Sequence, residues 1–169
     1  MIGIYLKTKP KIHSSVFVAS SAQIIGAVSI DQDSSVWFNT VIRADINKIK
    51  IGKRVNIQDG CILHLEDEMG IVVEDDVTIG HGAILHACTI KSGALIGMGS
   101  IILNGAIVGE GSIIGAGSVV TKGTKIPKNS LVLGSPAKFI KKLKISEVKN
   151  NKYWASKYAA LAKEYKNPG

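Results

Sequence analysis

An aliphatic residue that returns every six positions is the feature that most limits how this chain can fold. The series runs through Val73, Ile79 and Leu85, takes one five-residue step to Ile90, and then keeps its period to Val132. A period of six matches neither the 3.6-residue repeat of an α-helix nor the two-residue alternation of a β-strand. It is typical of hexapeptide repeats, in which about 18 residues form one triangular coil and successive coils stack as parallel strands roughly 4.8 Å apart. The sequence therefore predicts a mainly β fold, a parallel β-helix.

The repeat also predicts which residues fill the interior and where the chain turns. Four residues after most of the aliphatic positions comes a second inward candidate, usually small, as at Ala83, Thr89 and Ala94. Glycines cluster between these positions, where tight turns need a residue that can take positive φ. Only 5% of the residues are aromatic, whereas Gly numbers 18, and a core of aliphatic and small side chains suits a stack of thin layers.

The same register can be extended towards the N-terminus. It places Ile51, Ile57 and Leu63 in the preceding coil, with an excess of residues at 66–70 that must form a loop. Further back the period is less regular. We expect the first coils to start near Val16.

The period changes near the C-terminus. Pro127 and Pro136 lack the N–H that a strand ladder needs, so we expect them to stop the ladder and turn the chain. From Ser146, interpreted as an N-cap, an α-helix is predicted to run to about Tyr165. Its apolar face should lie back against the β-helix and comprises Trp154, Tyr158, Leu161 and Tyr165.

We interpret residues 1–138 as the β-helix domain and residues 139–169 as a tail whose helix packs on it. The formal net charge is +8, and from Lys138 onward nine lysines stand against only Glu147 and Glu164. The tail contains no Arg, whereas a nucleic-acid surface would need aromatic or Arg residues among its lysines. We therefore expect a solvated helix face and no nucleic-acid partner.

Neither a membrane span nor an export signal is expected. No segment approaches the roughly 18 consecutive apolar residues of a span, and residues 1–11 lack a long apolar stretch before a cleavage site. Cys61 and Cys88 lie in apolar runs without CxxC spacing, which favours reduced core cysteines. We predict a cytoplasmic protein with no membrane partner.

Three of the four histidines fall within 23 residues, in runs of small and aliphatic side chains. His64 and His86 each follow an inward leucine by one place, so they should stack about 5 Å apart on adjacent coils, where two imidazoles can share one metal ion. His81 follows Ile79 by two places and should project around a corner, away from the other two. A symmetric trimer would bring His81 of one subunit against His64 and His86 of its neighbour. Three neutral nitrogens with an open position are typical of a catalytic zinc site, and the alternative is three unrelated surface histidines.

Polar side chains accompany these histidines. They are Arg43, Asp45, Asn56, Gln58 and Asp59, and the register stacks Asp59 directly above His81. Each could be an ordinary turn or rim residue. Packing of an apolar ladder does not explain such groups beside a metal, however, whereas orientation of the ligands or the substrate does.

At these residues the sequence resembles the γ-class carbonic anhydrase family, in the shorter bacterial branch of left-handed β-helix proteins. The likeness covers the chain from about Lys11 to Ala137. The shared signature is Arg43-x-Asp45, Asn56-x-Gln58-Asp59-Gly60, His64, Gly80-His81-Gly82-Ala83, His86, Ile96-Gly97-Met98-Gly99 and Asn104-Gly105.

The resemblance implies a left-handed parallel β-helix with a C-terminal helix, assembled as a homotrimer. It implies zinc, or iron under anaerobic conditions, bound across the subunit interface by His64, His81 and His86. It further implies an Arg43–Asp45 ion pair at that interface. The implied activity is metal-dependent, reversible hydration of CO2 to bicarbonate.

The same resemblance assigns roles to the amide and carboxylate groups. Gln58, with Asn56 in the same motif, is expected near the water at the metal, and Asp59 behind one of the ligands. The best-studied members carry a Glu after the Asp of the Arg-x-Asp pair and another on a long acidic loop, and both serve proton transfer. Here the first position is Ile46 and the loop is short. Asp67 or Glu68 is then the nearest candidate for the second role.

Two other functions remain open from the sequence. Hexapeptide acyltransferases, which use acyl-CoA with one His as general base, share the same prism and the ending Gly134-Ser135-Pro136-Ala137-Lys138. A non-catalytic trimeric metal-binding or assembly protein is the third possibility, because a fold does not decide a function.

Overall fold

A computed structural model describes residues 1–167 of the chain; Pro168 and Gly169, at the end of the predicted tail, lie outside the described residues. The chain forms a parallel β-helix of about seven turns, followed by one antiparallel strand and a C-terminal helix. The predicted fold class is therefore confirmed. Within residues 1–167, no helix combines the length and the apolar character needed to cross a membrane.

Most strands are only two or three residues long, because each side of the triangle uses about six residues including its turn. The helix is α1 (Ile145–Lys166). The strands are β1 (Ile2–Gly3), β2 (Lys11–Ile12), β3 (Phe17–Val18), β4 (Gln23–Ile30), β5 (Ser35–Val36), β6 (Val41–Ile51), β7 (Asn56–Ile57), β8 (Ile62–His64), β9 (Ile71–Val73), β10 (Thr78–Ile79), β11 (Ile84–His86), β12 (Thr89–Ile90), β13 (Leu95–Ile96), β14 (Ile101–Ile102), β15 (Ile107–Val108), β16 (Ile113–Ile114), β17 (Val119–Val120), β18 (Lys125–Ile126), β19 (Ser130–Gly134) and β20 (Ala137–Lys142).

The strands form three faces. The first face runs β3-β5-β7-β10-β13-β16-β19, and β20 adds to it in antiparallel orientation. The second face contains β8, β11, β14 and β17 and begins with the first halves of β4 and β6. Those two long strands then turn a corner into the third face, which contains β2, β9, β12, β15 and β18.

The core is a stack of aliphatic rows inside the triangle. Every aliphatic residue of the predicted series from Val73 to Val132 is buried. The second inward position is misplaced at Thr89, which is only partly buried, whereas Cys88 before it is 3% exposed. The five-residue step to Ile90 is the reason. The second inward residue lies two positions before the next aliphatic residue, so a step that is one residue short moves it from 89 to 88.

Both ends of the ladder differ from the prediction. The first coil starts before Val16, because Ile2 in β1 already pairs in parallel with Ile24. Pro127 does not stop the ladder, since Leu131 in β19 still pairs in parallel with Ile113. The missing N–H of proline is tolerated because Pro127 lies in a turn between strands. The chain reverses only after β19, and β20 crosses the predicted boundary at residue 138.

The C-terminal helix begins two residues earlier than predicted. Its N-cap is Lys144 rather than Ser146, and the Glu147 carboxylate accepts the Lys144 backbone N–H at 2.7 Å. The predicted packing on the β-helix is confirmed: Tyr158 and Leu161 pack against the buried Trp37 and its neighbours. The rings of this aromatic cluster are Phe17, Trp37, Phe38, Tyr158 and Tyr165.

Both cysteines are reduced and buried, as predicted. Burial raises the pKa of the Cys61 thiol to about 11 and that of Cys88 to about 12. At neutral pH both are therefore protonated thiols that act as small apolar side chains.

Candidate metal centre

His64 and His86 occupy equivalent places at the ends of β8 and β11. They are paired directly in the parallel ladder, and their ring centroids lie 5.2 Å apart. The predicted stacking is confirmed. Nδ1 of His64 faces Nε2 of His86 at 3.2 Å.

Neighbouring oxygens decide which nitrogen of each ring carries the proton. Asp45 Oδ1 lies 3.1 Å from His64 Nε2, and Asn104 Oδ1 lies 2.7 Å from His86 Nδ1. These oxygens accept hydrogen bonds, so the protons sit on His64 Nε2 and His86 Nδ1. The two nitrogens that face each other at 3.2 Å therefore both present lone pairs.

His81 lies in the turn between β10 and β11. Its Nδ1 lies 2.7 Å from Asp59 Oδ2, so the ring donates there and keeps the Nε2 lone pair free. Asp59 is itself held by the backbone N–H of Phe38, which donates to Oδ1 at 3.1 Å. The predicted stacking of Asp59 on His81 is confirmed.

One chain does not bring the three histidines together. Within residues 1–167, no three His, Cys, Asp or Glu side chains converge closely enough to hold a metal ion. His81 stands at the corner where the second face begins, and His64 and His86 stand where that face ends. The chain thus carries a two-histidine half-site, His64 with His86, and a one-histidine half-site, His81.

The donor set fits a zinc-type ion. Two lone pairs that face each other without a proton between them repel, and a cation placed against both removes that repulsion. Two nitrogens bound at 2.0–2.1 Å to a tetrahedral ion lie about 3.3 Å apart, close to the 3.2 Å separation of His64 and His86. Each of the three rings also has the oxygen partner that metal-binding histidines commonly use.

Arg43 and Asp45 form the predicted ion pair, and Asp45 uses its other oxygen on His64. Partial burial would raise the pKa of Asp45, but hydrogen bonds from its own backbone, Arg43 and His64 hold it below the ordinary value of 3.8. Asp45 therefore stays ionised at neutral pH and fixes the His64 ring. Whether the pair lies at a subunit interface stays a prediction.

Gln58 and Asn56 lie behind the one-histidine half-site. Gln58 Nε2 donates to Asn56 Oδ1 at 3.0 Å, and Asn56 Nδ2 donates to Thr78 Oγ1 at 2.9 Å. This chain of hydrogen bonds is buried and fixes the Gln58 amide. Gln58 and His81 both line a cavity of about 410 Å³ whose other walls are mostly apolar.

Two aromatic residues of α1 line this cavity together with His81. Trp154 and Tyr158 were predicted only to pack the helix against the β-helix. Burial, with the negative charge of Asp59, raises the pKa of Tyr158. Its hydroxyl therefore keeps its proton and remains a hydrogen-bond donor.

The acidic loop at residues 66–70 contacts the two-histidine half-site through Asn104, for which no role was predicted. Asn104 Nδ2 donates to Glu66, so its Oδ1 is turned towards His86. Asp67 and Glu68, the predicted candidates, are exposed, and Asp67 is held through its backbone carbonyl by Asn47 Nδ2 at 2.8 Å. Asn104 was noted only within an Asn-Gly pair, and no sequence pattern signalled its link to a loop 38 residues away.

An apolar row covers the outside of the second face, between the two half-sites. Its members pair with one another on successive strands, from Ile62 and Ile84 to Ile101. The full row is Val41, Ile62, Ile84, Ile101 and Val119. Ile62 is 45% exposed, and the other four are partly buried, so within the described chain this row remains open to a partner.

Comparisons with known proteins extend over almost the whole chain. The repeat family described as bacterial transferase hexapeptide (six repeats) matches residues 87–122. A carbonic anhydrase from Geobacillus kaustophilus is 46% identical over 166 residues, which cover 98% of this chain and 91% of that protein. A probable carbonic anhydrase from Methanocaldococcus jannaschii is 51% identical over 151 residues, which cover 89% and 95%. The structure of a putative acetyltransferase from Bacillus cereus matches with a TM-score of 0.96 at 50% identity, covering 98% and 96%.

Proposed function

This chain belongs to the γ-class carbonic anhydrase family, and from that premise we propose that it catalyses the reversible hydration of CO2 to bicarbonate. The observation that carries the proposal is the orientation of its three histidines. Each ring donates one N–H to an oxygen of Asp45, Asn104 or Asp59 and keeps the other nitrogen free. Packing alone gives no reason for three such arrangements.

We propose zinc as the metal, with iron as the alternative, because imidazole nitrogen suits both. His64 Nδ1, His86 Nε2 and His81 Nε2 would hold it. A bound zinc ion supplies Lewis acidity, which makes water acidic enough to act as a nucleophile near neutral pH.

A homotrimer is part of the proposal, because neither half-site is complete alone. The apolar row on the second face supports it, since burying that row between chains would remove aliphatic surface from water. The same contact would bring His81 of one subunit towards His64 and His86 of the next. With reduced, buried cysteines and no spanning helix in residues 1–167, we further propose the cytoplasm as its location.

The remaining polar groups orient substrate and carry protons. The fixed amide of Gln58, beside the mostly apolar cavity at His81, would position CO2 or the attacking water. Bicarbonate formation releases a proton, and Glu66, Asp67 and Glu68 are the loop carboxylates that could pass it to solvent.

Acyl transfer is not favoured by the same geometry. An acyltransferase of this fold needs one histidine as general base. That role does not explain three histidine rings that each keep one nitrogen free. A non-catalytic metal protein would share the ligands, so only an activity measurement separates it from the enzyme.

The test combines metal analysis with stopped-flow CO2 hydration on the purified protein. We expect about one zinc or iron ion per chain and hydration activity, with both lost in His81→Ala and in His64→Ala. Mixing the two variants after dissociation should restore part of both, because mixed trimers contain some intact sites. His13→Ala is the matched control, since His13 is exposed and contacts Ser15, away from either half-site.

Metal binding without hydration would favour the non-catalytic protein. Acyl-CoA turnover without hydration would favour the acyltransferase. If mixing never recovers metal beyond the separate variants, the shared-site arrangement is wrong.

A further inference from the structure

Four lysines surround one small cavity on the third face, and no histidine of the candidate centre lines that cavity. Lys9 and Lys11 come from β2 and the segment before it, and Lys48 and Lys50 from the second half of β6. They line a cavity of about 280 Å³ whose floor is made by Ala27, Val28 and Ser29 of β4.

Register explains why these ammonium groups meet. Lys11 pairs with Ser29, and Ser29 pairs with Lys50, so the two lysines flank the short Ser29 side chain from adjacent strands. Lys9, in the segment before β2, and Lys48, in β6, lie two residues earlier in the chain and line the same cavity with Ala27. Because Ala27 and Ser29 on β4 are small, a concave surface remains between the two pairs of long lysine side chains.

This concentration of charge is unusual for the β-helix. The first 137 residues carry 12 basic and 11 acidic side chains, yet four of the basic ones line this cavity and none of the acidic ones does. Three other cations of the β-helix do have carboxylate partners: Arg43 with Asp45, Arg54 with Asp76 and Lys91 with Glu74. Within residues 1–167, none of the four lysines has a carboxylate within ion-pair distance.

Carboxylates line the adjoining cavities without pairing with these lysines. Asp45 and Asp67 share a cavity with Lys48, and Asp45 is paired with Arg43. Asp31 lines the adjoining cavity with Lys11 and Lys50, but its Oδ1 accepts the backbone N–H of Gln32 at 2.8 Å. Four like charges around a concave surface repel one another, and a bound polyanion relieves that repulsion. The hydroxyls of Thr8 and Ser29 add hydrogen-bond donors at the rim and floor.

We propose that this lysine pocket binds a small anion that carries two or more phosphoryl groups. Two pairs of ammonium groups, two positions apart along the chain, match a ligand with more than one anionic group better than a single phosphate or bicarbonate. The site is separate from the histidine half-sites, so the proposal does not depend on the hydration activity.

The test is isothermal titration calorimetry of the full-length protein with inorganic pyrophosphate. We expect binding with about one site per chain, weaker binding of inorganic phosphate, and loss of affinity as salt is added, because the charges are exposed. Lys11→Gln/Lys50→Gln should weaken pyrophosphate binding by about tenfold or more, and Lys9→Gln/Lys48→Gln should do the same. The matched control is Lys138→Gln/Lys142→Gln, which removes two exposed lysines of β20 and should change affinity by less than about twofold.

Three results would overturn the proposal. One is the absence of pyrophosphate binding at low salt. Another is an equal loss of pyrophosphate affinity in the pocket and control variants, which would mean that the net charge of the protein alone attracts the anion. The third is tight binding of a DNA duplex that pocket and control variants weaken alike, which would assign the basic surface to nucleic acid.

Discussion

At the scale of single residues, the orientation of the two-histidine half-site depends on an amide outside the ligand set. Asn104 accepts from His86 Nδ1 with its oxygen and donates to Glu66 with its nitrogen. A turned amide would set its oxygen against the Glu66 carboxylate, so the amide keeps its orientation and the His86 proton stays on Nδ1, away from the nitrogen that faces His64.

Replacement of Asn104 should therefore lower metal affinity. We expect Asn104→Leu to weaken zinc binding by about 10- to 100-fold, because the His86 ring loses its orienting acceptor. Asn104→Asp keeps an oxygen that can accept from His86 Nδ1 but loses the donor to Glu66, so its affinity should fall between those of Asn104→Leu and the unmodified protein. Competition with a chromogenic chelator measures both, and equal affinity in Asn104→Leu and the unmodified protein would show that Asn104 does not position His86.

Glu74 provides a residue-scale prediction that is independent of the metal. Burial would raise its pKa, but hydrogen bonds from Lys91 and Ser92 outweigh burial and hold the pKa below 4.5. A lowered pKa in the folded state means stabilisation that is fully present above the unfolded pKa and is lost as the pH falls through the folded value. Between about pH 5 and pH 3, stability should fall more steeply in the unmodified protein than in Glu74→Gln.

Urea denaturation at a series of pH values measures this difference. Glu110→Gln removes an exposed carboxylate and should keep the slope of the unmodified protein. Parallel pH profiles for Glu74→Gln and the unmodified protein would mean that the ion pair with Lys91 contributes nothing to stability.

At the scale of elements, the C-terminal helix is attached by rings rather than by charge. Trp37 is 4% exposed, and its ring contacts Tyr158 and Tyr165 at centroid distances of 5.6 Å and 5.1 Å. Two lysines of α1 reach the β-helix, Lys166 at the Ser14 carbonyl and Lys163 at Asp33 at 3.8 Å, but both are exposed, so they contribute little to docking.

Trp37→Ala should destabilise the protein by about 3 to 5 kcal/mol, since it leaves a cavity between the β-helix and the helix. Tyr153→Ala is the control, because Tyr153 is an aromatic residue of the same helix that is 58% exposed, and it should cost much less. Denaturant unfolding gives both values, and limited proteolysis should cut α1 first in Trp37→Ala. A helix that resists cleavage in this variant would argue for another docking contact.

At the scale of the whole molecule, the two half-sites and the apolar row belong to one face. Ile62 lies in that row on the second face, whereas Val72 holds a comparable outward place on the third face. They are 45% and 38% exposed, so a charge at either place should be tolerated in a single chain.

Ile62→Glu should therefore dissociate the proposed trimer, because it would place a charge in the apolar contact. Val72→Glu should leave the trimer intact. Sedimentation velocity at low micromolar concentration measures the assembly, and metal content should fall together with it in Ile62→Glu. A stable trimer in Ile62→Glu would mean that the chains associate through another face.

The sequence by itself determined the coil and the places of the histidines on it. A six-residue period sets which side chains point inward, and the offsets of His64, His81 and His86 from that period set which of them stack. These properties are local, because each coil repeats the geometry of the one before it. The same locality explains why one five-residue step was enough to misplace Thr89.

Only the tertiary structure decided how the side chains are oriented and how the ends of the chain are used. The link from His86 through Asn104 to Glu66, the pairing of β1 with β4, and the lysine pocket join residues that are far apart in sequence. No period encodes such contacts. They depend on which loops and strands lie side by side once the coils have stacked, so they follow from packing of the whole chain.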